Sequence, residues 1–325
     1  HELGLKVMID QVLSHSSDQH AWFKESRASR DNDKADWYVW ADPQPDGSPP
    51  NNWLSIFGGP AWEWDGVRRQ YYLHNFLIGQ PDLNLHNAEV QQALLDVVRF
   101  WLERGVDGFR LDVCNFFFHD RSLKSNPPRP KDGPQSRHKN PYGMQLHIHD
   151  KTQPENLAFL KRFRALLEEY PDRASAGEIG AEERSLDVVA EYTGGGDKLH
   201  MSYTFDLLSG DGRPAQIAKA ITAFEEVVTD GWVCWALSNH DVPRHVSRWM
   251  REGEDREQVA RLAACLLLSL RGSVCLYQGE ELGLEQVDVP FERLQDPEGK
   301  RFWPAHKGRD GCRTPMPWEA NAVQA

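Results

Sequence analysis

One pattern limits what this chain can fold into more than any other. Short apolar runs alternate with amphipathic stretches, and nearly every run ends in a polar or charged residue. Six runs read as strands: Lys6 to Asp10, Val106 to Asp112, Arg173 to Glu178, His200 to Asp206, Val233 to Asp241 and Ser273 to Gly279. Helical spacing of apolar residues appears over 88–104, 155–170, 214–229 and 256–271. Asn87 is placed to cap the first of these helices and Asp230-Gly231 to end the third. Repeated βα units call for a parallel sheet. Chemically capable side chains at the C-terminal ends of the strands favour a barrel over an open sheet, because barrel active sites are built at that face.

Two stretches exceed what a bare barrel needs. Residues 15–83 separate the first two strands and hold Trp22, Trp37, Trp40, Trp53, Trp62 and Trp64, half of the 12 tryptophans. A structureless loop of that length would be unusual, so the stretch reads as a small inserted domain. Its tryptophans suit either the core of that domain or the apolar faces of sugars. Residues 119–154, rich in proline, follow the strand that carries Asp112 and are expected to wall one side of a site. The opening residues His1 to Leu5 read as the last turn of a helix closed by Gly4. The chain does not begin with Met, and both ends are expected to be cuts in a longer protein.

Composition excludes several classes. A net charge of −12 argues against nucleic acid, since phosphate binding needs a basic surface. No apolar run of ~18 residues marks a membrane helix, and residues 1–30 lack the apolar core of a signal peptide. Cys114, Cys234, Cys265, Cys275 and Cys312 are scattered, with no CxxC pair. Buried free thiols in a reducing compartment are expected, hence a cytoplasmic location.

Four segments carry chemistry: Asp10 to His15, Gly108 to Asp112, Ala176-Gly177-Glu178 and Ser238 to Asp241. Three bring a carboxylate to a strand end: Asp112, Glu178 and Asp241. A glycosidic bond breaks when a carboxylic acid protonates the leaving oxygen, and in retaining enzymes a second carboxylate ~5–5.5 Å away attacks the sugar carbon. Arg110 stands two residues before Asp112, so the period-2 geometry of a strand points both side chains to one face. A guanidinium there keeps Asp112 ionised, as a nucleophile requires. Nothing comparable stands beside Glu178 in sequence, and the small Ala176-Gly177 before it leaves room for substrate. Glu178 is therefore read as general acid/base.

The motifs DQVLSHSS (10–17), QPDLN (80–84), GFRLDV (108–113), GEI (177–179), SNHD (238–241), YQGEELGL (277–284) and GRDGCRTPMPW (308–318) resemble glycoside hydrolase family 13, the α-amylase family, in its α-glucosidase/oligo-1,6-glucosidase group. The resemblance runs over essentially the whole chain. It implies a (β/α)8 TIM barrel that is incomplete here, with strands 3 to 8 present. The barrel would take residues 1–14 and 84–325, and the domain inserted after the third strand residues 15–83. It implies Asp112 as nucleophile, Glu178 as acid/base and Asp241 as a third carboxylate gripping the 2- and 3-hydroxyls. His15 and His240 would bond sugar hydroxyls and Arg110 would orient Asp112. Phe57, Phe76 and Gln80 match pocket-lining positions of the family's inserted domain, and Arg309 a late-loop arginine. Asp10 belongs to the same motif as an architectural residue. Ser14 stands where many α-amylases carry a calcium-ligating Asn. No cofactor is expected, and calcium only at a site outside this chain. Val113 resembles the oligo-1,6-glucosidase type, but one residue in one subsite shifts binding by only ~1–3 kcal/mol and does not set linkage preference.

The expected function is a retaining α-glucosidase acting on short α-glucosides through a covalent glucosyl-enzyme. A glucosyltransferase of the same family is the alternative. Two further readings are a metal-dependent barrel enzyme, with magnesium on the strand-end carboxylates, and a non-catalytic relative. Intact Asp112, Glu178 and Asp241 argue against the last.

Overall fold

A computed structural model describes residues 1–130, 140–180 and 184–319. The chain divides into two compact units, His1–Ala181 with Gly196–His200, and Glu182–Gly195 with Met201–Ala325.

The first unit contains β1 (Met8–Gln11), α1 (Ala21–Ala28), β2 (Trp40–Ala41), β3 (Trp62–Asp65), β4 (Gln70–Leu73), α2 (Ala88–Leu102), β5 (Gly108–Leu111), α3 (Glu155–Glu168) and β6 (Ala174–Glu178). β5 lies between β1 and β6, parallel to both, with Arg110 opposite Asp10 on one side and Ala176 on the other. The helix at 88 starts where the sequence places it, because the Asn87 side chain accepts from the Glu89 N–H at 2.8 Å. It buries Val90, Leu94, Leu95, Val98 and Leu102. That is one helical stripe, and full burial of each such side chain contributes about 1.5–3 kcal/mol. From the facing helix α3, Phe163 meets Phe109 of β5 with ring centroids 6.2 Å apart.

The stretch 15–83 holds α1 and an antiparallel sheet of order β2-β4-β3. Val39, Ala41, Trp53, Ala61, Trp62 and Leu73 form its core. Trp53 stacks on Trp62 at 5.8 Å, and Trp40 is sandwiched between Phe23 and the Arg68 guanidinium. These three tryptophans are packing residues. The second long loop ties this stretch to the sheet: Trp53 Nε1 donates to Lys124 O at 2.8 Å, Asn52 Nδ2 to Asn126 O at 2.8 Å, and Lys151 Nζ to Gly180 O at 2.8 Å.

The second unit contains α4 (Ser185–Thr193), β7 (Met201–Tyr203), α5 (Pro214–Val227), β8 (Cys234–Trp235), α6 (His245–Trp249), α7 (Arg256–Ser269), β9 (Ser273–Val274) and α8 (Pro297–Phe302). β8 and β9 are parallel, and Ser202 of β7 bridges to Val233 in the same sense. In each unit the strands outside the 15–83 stretch are parallel and alternate with helices, the α/β pattern of a TIM-barrel domain.

Several expectations are corrected. The opening residues form a turn, Gly4 N–H to His1 O at 2.8 Å, and no helix. β8 ends at Trp235, well short of Asp241, and Asn239 Oδ1 accepts from the Asp241 and Val242 N–H groups, so Asp241 stands in a side-chain turn and not at a strand end. Cys265 and Cys275 are exposed; Cys114, Cys234 and Cys312 are buried, and none of the five forms a disulfide among the described residues. Cys265 lies on α7 with the exposed Leu262 and Leu268, on a face that nothing in the described chain covers.

Gly108 is the tightest point of the parallel sheet. A Cβ there would stand 2.5 Å from the Ala174 carbonyl oxygen of β6 and 3.0 Å from Met8 Cε of β1. The Met8 methyl ends a flexible side chain and can move aside, but the Ala174 carbonyl is backbone, so β6 would have to shift away from β5. Gly108→Ala in the full-length protein is expected to cost about 1–3 kcal/mol, read as a lowered urea midpoint; an unchanged midpoint would refute this account of the sheet.

Candidate active site

In the first unit a single guanidinium organises the strand ends. Arg110 and Asp112 share a face, as period 2 requires. Arg110 Nη1 donates to Asp112 Oδ1 at 2.6 Å and to both oxygens of Asp10, at 2.8 and 2.7 Å. Its Nη2 donates to Glu178 Oε2. The register explains the gathering: Asp10 is the direct neighbour of Arg110 on β1, and Glu178 lies two residues beyond its neighbour Ala176 on β6. No cation stands beside Glu178 in sequence, but the fold brings Arg110 to it. Arg110 serves both carboxylates, and the Val113 N–H adds a bond to Glu178 Oε2 at 3.2 Å. What separates the two is enclosure. The Glu178 side chain is 4% exposed and that of Asp112 21%.

Val113 adopts φ 36° and ψ 50°. That left-handed conformation is costly for a β-branched residue. It ends β5, opens the short turn Cys114–Phe116 and aims the Val113 N–H at Glu178.

His15, Phe57, Phe76 and Gln80 gather in the same unit. The His15 and Phe76 rings are 4.9 Å apart and those of Phe57 and Phe76 6.2 Å. The tautomer of His15 follows from its neighbours. The Leu77 N–H can only donate, so it fixes Gln80 Oε1 as the facing atom at 3.1 Å. Gln80 Nε2 then points at His15 Nε2, 3.0 Å away, and that ring nitrogen must accept. The proton sits on Nδ1 and is donated to Ser14 Oγ at 2.9 Å. Burial lowers the His15 pKa, against an opposing pull from the Asp112 charge.

Asp241, His240 and Arg309 form a cluster in the second unit. Asp241 Oδ1 accepts from Arg309 Nη1 and from Arg313 Nη2, each at 2.9 Å, and His240 Nε2 is 3.3 Å from Oδ2. Arg313 Nε also donates to His240 O at 2.7 Å. Sequence reading passed over Arg313, although it stands in the same GRDGCR motif as Arg309. Among the described residues no group of three or more His, Cys, Asp or Glu side chains is arranged to hold a metal ion. In the Asp10, Asp112 and Glu178 group the central position is filled by Arg110.

The whole of residues 1–325 matches the family described as "Alpha amylase, catalytic domain". The chain belongs to the α-amylase family. A probable alpha-glucosidase of Rhizobium meliloti (strain 1021) is 60% identical over 324 residues, covering 98% of this chain and 59% of that protein. An oligo-1,6-glucosidase of Heyndrickxia coagulans is 36% identical over 359 residues, covering 99% of this chain and 62% of that protein. The crystal structure of the alpha-glucosyl transfer enzyme XgtA superposes with a TM-score of 0.94 at 60% identity, covering 98% of this chain and 59% of that one. The chain thus spans about six tenths of the length of these family members.

The His15 arrangement has a spectroscopic signature. In the full-length protein its imidazole is expected to be the Nδ1–H tautomer, titrating below the ordinary 6.5. A depressed folded-state pKa means that its contribution to stability is complete above pH 6.5 and is lost as pH falls, when Nε2 gains a proton and faces the Gln80 donor. A nitrogen-detected NMR titration showing an Nε2–H ring, or protonation at or above 6.5, would refute the assignment.

Proposed function

We propose that this chain forms the catalytic core of a retaining α-glucosidase. It releases or transfers α-glucose from the non-reducing end of short α-glucosides through a covalent glucosyl-enzyme. The observation that carries the reading is the Arg110 bridge, which places Asp112 and Glu178 within the span of one guanidinium at the ends of adjacent parallel strands. That is the scale of the ~5–5.5 Å carboxyl separation of retaining enzymes. The relatives named alpha-glucosidase and oligo-1,6-glucosidase support the substrate class.

In the first step Glu178, as acid, gives its proton to the glycosidic oxygen while Asp112 attacks the anomeric carbon. The C1–O bond to the leaving group breaks as the bond to the Asp112 oxygen forms. In the second step Glu178 takes a proton from water or from an acceptor alcohol, which displaces Asp112 and restores the α-configuration. Enclosure favours Glu178 as the acid, since a shielded carboxyl exchanges its proton with the substrate and not with bulk water. Arg110 keeps Asp112 oriented and charged. Asp241, His15 and His240 hold sugar hydroxyls, Phe57, Phe76 and Gln80 line the pocket beside His15, and Arg309 steadies Asp241.

Transfer to an acceptor has a specific support in the 60% identity to XgtA, which is described as an alpha-glucosyl transfer enzyme. A magnesium-dependent reading is disfavoured because Arg110 already occupies the point between Asp10, Asp112 and Glu178 where such an ion would have to bind. The partners of this reading are oligosaccharides and small α-glucosides, with no required cofactor, no nucleic acid and no membrane; no helix among the described residues is long and apolar enough to cross one. Five cysteines outside disulfides suit a reducing, cytoplasmic setting.

The full-length protein is expected to hydrolyse p-nitrophenyl α-glucoside, maltose or isomaltose with α-glucose as first product, and to keep its activity in excess EDTA. An added alcohol would yield glucoside in proportion to transfer. Asp112→Asn is expected to lose ~10^4-fold or more in rate, as for a covalent nucleophile. A β-anomer as first product sinks the retaining mechanism, and an active Asp112→Asn variant sinks the assignment of the nucleophile.

A further inference from the structure

Asp296, outside every motif identified in the sequence, has the most completely enclosed carboxylate in the loop that delivers Arg309. Its side chain is 0% exposed, while that of Arg309 is 19% and that of Asp241 22%. A carboxylate without water must be paired and hydrogen-bonded on all sides or it costs several kcal/mol. Both of its oxygens are committed to the same residue. Asp296 Oδ2 accepts from the Arg309 N–H at 2.8 Å, and Oδ1 accepts from Arg309 Nη2 at 2.9 Å. Backbone and guanidinium of Arg309 are thus fixed by one anchor, and the remaining terminal nitrogen, Nη1, is left aimed at Asp241 Oδ1 at 2.9 Å.

The anchor is itself held. The Glu298 N–H, in the first turn of α8, points at Asp296 Oδ1 from 3.4 Å. Asp310 Oδ2 accepts from the N–H groups of Gln295 and Asp296 at 2.7 and 2.9 Å. Gly308, at φ +72°, lets the chain pass so close that a Cβ would stand 2.4 Å from Asp296 Oδ2 and 2.8 Å from the Gly299 backbone. Burial pushes the Asp296 carboxyl up, but the hydrogen bonds and charge of Arg309 outweigh it and leave it below the ordinary carboxylate range. The carboxylate is therefore charged at neutral pH, and its charge is spent on Arg309.

We infer that Asp296 is a positioning residue for the proposed reaction: it presents the Arg309 guanidinium to Asp241 in a fixed direction, so that Asp241 keeps the orientation in which it grips the sugar. An arginine in a fork between two carboxylates has its rotamer decided before substrate arrives, and preorganised contacts cost no reordering when charge develops. Arg313 reaches Asp241 from a more exposed position, 35% against 19%, and its other bond is to the His240 carbonyl and not to a second carboxylate, so it does not substitute for this control.

The inference rests on the α-glucosidase reading, and retention of configuration by the wild-type protein tests that reading separately. The experiment is a double-mutant cycle in the full-length enzyme with Asp296→Asn, Arg309→Ala and the pair, following kcat/KM on p-nitrophenyl α-glucoside. The dissociation constant of an iminosugar is measured alongside, because a competent folded fraction reports it without regard to how much protein has folded. Asp296→Asn is expected to lose about 10^2-fold in kcat/KM, the scale of a small misplacement, and to weaken the iminosugar. The double variant is expected to be no worse than Arg309→Ala alone. Wild-type kcat/KM in Asp296→Asn, or losses that multiply in the pair, would overturn the proposal. Should Asp296→Asn fail to fold, Arg309→Lys keeps the charge but replaces the planar fork that spans both carboxylates; a comparable loss supports the proposal, and wild-type activity overturns it.

Discussion

The site in the first unit depends on one cation among three anions. Arg110 sits on the middle of three parallel strands, and Asp10, Asp112 and Glu178 reach it from all three. Without it, three carboxylates at one end of a sheet would repel one another, and at least one would have to take up a proton or turn away. With it, the strand ends are drawn to a common point. The sheet makes this possible because Gly108, two residues before Arg110, lets β6 approach β5 to a distance that any side chain would forbid. Close packing at one end of the strand and charge pairing at the other are parts of a single geometry.

Much of this was legible in the sequence, for definite reasons. The common face of Arg110 and Asp112 follows from the period of a strand. The helix after Asn87 follows from its cap and its apolar stripe. The family could be read from motifs spread along the whole chain. Other features were out of reach. The bond from Arg110 to Glu178 depends on the register between β5 and β6, and register is a property of pairing that neither segment carries alone. The strands of the 15–83 stretch are two to four residues long and rich in aromatics, too short for alternation to show. Helix α6, five residues from His245 to Trp249, falls below any periodic window. Asp241 is held in a side-chain turn, in which Asn239 takes the Asp241 and Val242 N–H groups, and the apolar run before it does not show where the strand stops.

The two clusters solve the same problem with different chemistry. In the first unit an arginine is shared among carboxylates that must act. In the second, two arginines converge on Asp241, and one of them is tied back to a carboxylate wholly removed from water. The first arrangement shares one positive charge among anions of different exposure, Glu178 enclosed and Asp112 more open. The second puts the ordering in one carboxylate removed from water and delivers its result to Asp241.

The strained valine after Asp112 has a mechanical meaning. Asp112 contributes the carbonyl, and Val113 the N–H, of one peptide group, and that N–H is bonded to Glu178. Asp112 and Glu178 are thus joined through a unit that resonance keeps flat, with a rotation barrier of ~18–20 kcal/mol. The main chain leaving Asp112 is thereby tied to the Glu178 carboxylate, and the left-handed turn at Val113 begins directly after that tie.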